Sequence, residues 1–168
     1  MTTYALVGPG DVIDRVQSNI DPTVATKTGW KWLPVEDTPA PSFVPGLEAA
    51  TSERIVSNGK AVLRWAVARR PLDEQKAAVK AEAQRRIIVL TGKANLQDCM
   101  IKQFNALMRA GQITDKRVNG DSLTAEEELE AASLRALADR VKAIRAISDQ
   151  IEALDPIPAD YADDGRWA

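Results

Sequence analysis

The spacing of apolar residues changes character near residue 70. Before it, short runs alternate with a period of two, as in a half-buried strand. After it, apolar positions recur every three or four residues, as on one face of a helix. In the first stretch, Tyr4-Ala5-Leu6-Val7 reads as a strand closed by the turn Gly8-Pro9-Gly10. Val12-Ile13-Asp14-Arg15-Val16 returns beside it as a hairpin. Further on, Arg54-Ile55-Val56-Ser57 and the run from Lys60 to Val67 flank Asn58-Gly59. Asn-Gly supplies positive φ at both central positions of a type I′ turn, whose twist matches paired strands. Leu63, Trp65 and Val67 then share one face, with Arg64 and Ala66 on the other. Between the hairpins, Pro34 to Pro45 holds four prolines in twelve residues, which predicts an ordered, extended surface loop.

Residues 72–155 contain no proline and are rich in Ala, Leu, Glu, Lys and Arg, as continuous helix requires. Pro71 suits a helix start, and Asp73 and Glu74 suit the positive end of the helix dipole. Leu72, Val79, Ala83, Ile87 and Leu90 form one stripe, and Gly92 is the stop. The run Ile87-Ile88-Val89-Leu90 alone would also fit a buried strand. A second helix is expected over about 96–110, with Leu96, Met100, Phe104, Leu107 and Met108 inward and Gly111 ending it. The third helix, about 124–154, opens with the capping box Thr124…Glu127.

That third helix carries the clearest pattern. Leu134, Leu137, Val141, Ile144, Ser148 and Ile151 are spaced 3, 4, 3, 4 and 3, a heptad seam of about three repeats. Ile at the second core position disfavours a parallel dimer and leans towards three strands or four. These six residues are the expected oligomer interface, most simply of a homotrimer. The alternative is an intramolecular hairpin, with Leu96 to Met108 packed on the same seam. The fold class read from all this is α+β. A small antiparallel β module spans 1–70, a helical region 71–155 and an extended tail 156–168.

Composition narrows the chemistry. The chain of 168 residues has 27% charged residues, a net charge of −2 and no histidine. Histidine's absence removes the commonest general base and zinc ligand, so the reading is not an enzyme, with no catalytic residues, metal or cofactor. The acidic balance argues against a nucleic-acid partner, and no apolar run is long enough to enter a membrane as a helix. The start has neither a basic region nor an apolar core of a secretion signal. Cys99 cannot form an internal disulfide and reads as a small buried hydrophobe. Gly8-Pro9-Gly10 and Thr91-Gly92-Lys93 are turns, since neither has the glycines of a phosphate loop. Glu126-Glu127-Glu128 fits the helix dipole, and the tail's aspartates lack the ligand spacing of a calcium loop.

Tryptophan placement points to docking. Trp30 and Trp32 lie two apart and would project from one face of a strand as an aromatic plate. Such a plate covers a β core or a partner surface, or less often stacks on a sugar. Trp167, next to the last residue, gains little unless it docks on the chain's own helices or on a neighbour. Trp30, Trp32 and Trp167 are therefore the expected partner-docking residues.

The segments fall in a familiar order. Tyr4-Ala5-Leu6-Val7 precedes Gly10-Asp11-Val12-Ile13-Asp14-Arg15-Val16 and Gly29-Trp30-Lys31-Trp32-Leu33-Pro34-Val35. A hairpin ending Trp65-Ala66-Val67 leads into Pro71-Leu72-Asp73-Glu74-Gln75-Lys76. The chain closes with the segment from Ala143 to Ala153 and the run from Asp160-Tyr161 to Trp167. Together these resemble the small tail proteins of tailed bacteriophages, in which a β module precedes a Leu-x-x-x-Lys helix. The resemblance implies a structural component of tail, baseplate or fibre, whose partners are itself and other tail or baseplate proteins. It also implies residence in the virion, with host cytoplasm as the place of assembly. The same look is shared by tail-fibre assembly chaperones, the alternative function; a carbohydrate-binding module using the tryptophan plate is a third.

Overall fold

The computed structural model describes residues 2–24 and 27–168. The chain divides into two compact units, Met1–Arg70 and Pro71–Ala168, and the fold class is α+β. In the first unit β1 (Thr3–Val7), β2 (Ile13–Ser18), β3 (Lys31–Glu36), β4 (Glu48–Ser57) and β5 (Lys60–Arg69) form a five-stranded sheet in the order β2-β1-β3-β5-β4. The β1–β2 and β4–β5 hairpins are antiparallel, and Ser57 faces Lys60 across Asn58-Gly59. Asn58 and Gly59 both have positive φ, as a type I′ turn requires.

The module is not wholly antiparallel. β3 pairs with β5 in parallel, at Val35–Ala61 and Glu36–Val62. The proline-rich segment after β3 is long enough to carry the chain to the far edge, so that β4 returns outside β5 and β5 lies beside β3 in the same direction. Pro34 belongs to β3 instead of the loop. It sits where β3 ends its ladder with β1 and begins the one with β5. The loop is tied down by Trp65, whose Nε1 donates to the Thr38 carbonyl, and by Thr38 Oγ1, which donates to the Leu63 carbonyl. Alternation puts Ala5, Val7 and Leu33 on one face, where they form a core with Ala61.

The second unit contains α1 (Leu72–Thr91), α2 (Leu96–Val118) and α3 (Ala125–Glu152). Pro71 caps α1, and its carbonyl accepts from the amides of Glu74 and Gln75. Ile87 to Leu90 are helical, and Gly92 ends α1 with φ 65°, a left-handed conformation that glycine adopts without strain. Gln75, Val79, Ala83, Ile87 and Thr91 are the buried stripe of α1, whereas Leu72 is exposed. Ile87, Cys99 and Val141 form the unit's core, one from each helix. α2 does not stop at Gly111. A glycine inside a helix costs about 1 kcal/mol relative to alanine, which packing of its buried Ile113 offsets. The end comes at Gly120, which has φ 82°. The C-terminal segment is a series of turns with a short 3-10 helix, Asp164–Arg166, not an extended strand.

Candidate functional site

α2 presents its two faces in an unusual way. Asn95 caps the start, its Oδ1 accepting from the Asp98 amide. The inward positions are Cys99, Gln103, Ala106, Ala110 and Ile113, mostly small. Gln103 Nε2 donates to Cys99 Sγ at 3.0 Å, so the polar side chain is satisfied near the core. The larger apolar residues point the other way. Leu96, Met100, Ile101, Phe104, Leu107 and Met108 are all exposed, Phe104 at 61% and Leu107 at 69%. The expectation that Leu96, Met100, Phe104, Leu107 and Met108 face inward is thus reversed. The stripe of smaller side chains lies on the core side and the larger apolar stripe on the solvent side. The informative signal was that second stripe, at spacings 4, 3, 4 and 3, beside the more conspicuous one.

Beside the ridge lies a trough of about 450 Å³, walled by Phe104 and Leu107 of α2 and floored by Leu134, Leu137 and Val141 of α3. Lys142 and Arg145 stand at its α3 rim. A neighbouring cleft of about 490 Å³ shares Gln103 and Arg145 with it and reaches Ala83 and Ile87 of α1. These spaces follow the line where α2 and α3 run side by side.

The heptad seam of α3 serves mainly inside its own unit. Val141, Ser148 and Ile151 are buried, and Leu134, Leu137 and Ile144 are half-buried. Leu137 and Ile144 pack on the core of Ile87, Cys99 and Val141. Ser148 meets its polar need locally, its Oγ donating to Glu152 Oε1. Burial against the chain's own helices removes the basis for reading a strand number from the seam's residue types. Leu134, Leu137 and Val141 border the trough, while Ile144, Ser148 and Ile151 line separate clefts along the same helix.

Four ion pairs fasten α2 to the first turns of α3, one of them from Arg109 to Glu127 at 3.7 Å. Lys116 reaches Glu127 at 2.6 Å, Arg117 reaches Glu128 at 2.7 Å, and Arg109 reaches Glu130 at 2.8 Å. Glu127 also completes the capping box with Thr124. The Lys116 hydrogen bond, followed by the Thr124 amide, holds the Glu127 carboxyl below the usual glutamate range.

Trp167 docks on the chain itself. It is buried, its Nε1 donates to the Tyr161 carbonyl at 2.7 Å, and Arg86 lies 5.0 Å over its ring. Arg86 also bonds Glu82, Asp164 and the Ala162 carbonyl, which fixes the tail against α1. Of its two expected berths, then, it takes its own helices, and it is not available to a partner. Trp30 and Trp32 are half-buried. Trp30 immediately precedes β3, with its ring against Gly8 and Lys27 5.0 Å from its centroid. Trp32 pairs with Leu6, and Arg15 lies 5.9 Å from its ring. Both rings thus lie against cations of the chain itself, and that of Trp30 also against Gly8. Read from the sequence as a solvated charge, Arg86 is instead largely buried, because its partner Trp167 is far away in the chain. Arg15 likewise meets Trp32 of another strand, whereas Lys27 and Trp30 are only three residues apart.

Among the described residues no group of three His, Cys, Asp or Glu is placed to hold a metal ion. No helix among them is long and apolar enough to cross a membrane. Compared with protein families, curated proteins and solved structures, the chain matches none.

Proposed function

We propose that this protein is a non-enzymatic structural component of a tailed-phage virion, in tail, baseplate or fibre, that works by docking helices of protein neighbours. The single observation carrying the docking is the exposed apolar ridge of α2 beside an open apolar trough. A contiguous patch of this kind on a folded chain marks an interaction surface, because leaving it in water forgoes roughly 25 cal/mol for every Å². The phage assignment comes from the ordered segments between Tyr4 and Lys76 and between Ala143 and Trp167.

Mass spectrometry of purified particles is the test. The expected result is this chain at a stoichiometry matching other tail components. Its presence in infected cells but absence from particles would favour the assembly chaperone, which holds a client's helix in the same trough and then departs. Its absence from both would overturn the phage reading.

A further inference from the structure

We infer that two copies of this chain pair through α2, antiparallel about a two-fold axis between Phe104 and Leu107, each helix lying along the partner's trough. This rests on the docking reading above and names the occupant as a second copy. The first argument is area. Six ridge residues, from Leu96 at 43% to Leu107 at 69%, are exposed. At on the order of 100 Å² each they offer about 600 Å² per copy, so a pair buries about 1,200 Å², the threshold for a stable specific interface.

The second argument is charge. An antiparallel two-fold folds the ridge back on itself, so a ridge of like charges would repel itself. From Leu96 to Met108 the only charged side chains are Asp98, which bonds Asn95 in the helix cap, and Lys102. Its Nζ is held 2.6 Å from the Thr91 carbonyl, away from the ridge. The third is shape. Open space surrounds Gly111 on the ridge, which allows two helix backbones to approach closely. Antiparallel pairing sets Phe104 against Leu107 of the partner subunit, whereas parallel pairing would set each residue against its own mate.

Sedimentation and light scattering of the full chain test this at micromolar concentration. The expected mass is twice the 18.3 kDa chain. Leu107→Asp should weaken pairing at least a hundredfold while leaving helix content unchanged, because the residue is exposed. Leu129→Asp, adding the same charge at an exposed α3 position that does not line the trough, should leave pairing intact. A mixture of Phe104→Cys and Leu107→Cys chains should form a disulfide that neither variant forms alone. A monomeric wild type, a mass of three or more chains, indifference to Leu107→Asp, or a disulfide from Phe104→Cys alone would overturn the inference. A monomer found stoichiometrically in particles would sink the pairing and leave the virion role. A paired chain missing from particles would do the reverse.

Discussion

At Gly8 the constraint is a neighbour, not a torsion angle. Its φ is −95°, open to any residue, yet a Cβ there would lie 2.7 Å from Cζ2 of Trp30. The ring is wide and Lys27 already lies 5.0 Å from its centroid. Gly8→Ala should therefore displace Trp30 and cost about 1–3 kcal/mol, read as a lower urea midpoint with red-shifted tryptophan fluorescence. Gly10, which has positive φ and nothing within reach of a Cβ, would be strained by torsion alone. The two glycines look alike in the turn Gly8-Pro9-Gly10. Which one touches an aromatic ring depends on a residue more than twenty positions away, so that distinction was not legible in the sequence. The Asn58-Gly59 turn was, because its conformation is dictated by the two residues that occupy it.

At the level of elements, the start of α3 was legible and the orientation of α2 was not. Thr124 and Glu127 bond one another's backbone amides, a purely local matter. Thr124→Ala should cost about 1 kcal/mol, measured by chemical denaturation. Glu127 adds a pH dependence with a definite sign. Its folded value lies below its unfolded one, so its contribution is full above the unfolded value and is lost as pH falls through the folded one. Stability of the helical unit should decline on acidification, and Glu127→Gln should flatten that part of the profile. α2, by contrast, carries two stripes at helical spacing, and hydrophobicity alone favoured the wrong one. Which stripe faces the core is a property of how α2 meets α1 and α3, and so belongs to pairs of elements.

Across the whole molecule, each unit has its own apolar core: Ala5, Val7, Leu33 and Ala61 in the sheet, and Ile87, Cys99 and Val141 among the helices. Ala61→Asp buries an unpaired charge in the first of these, at a cost of several kcal/mol. It should abolish sheet packing, seen as lost amide protection in residues 3–69, while the far-UV helical signal persists. Loss of both signals together would show that the units unfold as one. The residues of the sequence by themselves determined where strands give way to helices, the Asn58-Gly59 hairpin, the cap of α3 and the left-handed stop at Gly92, because each depends on neighbours within a few positions. Only the tertiary structure decided the parallel β3–β5 pairing, the inward turn of the Leu134–Ile151 seam, the docking of Trp167 under Arg86 and the outward turn of Phe104 and Leu107. Each of those depends on surfaces far apart in the chain, which no pattern of near neighbours encodes.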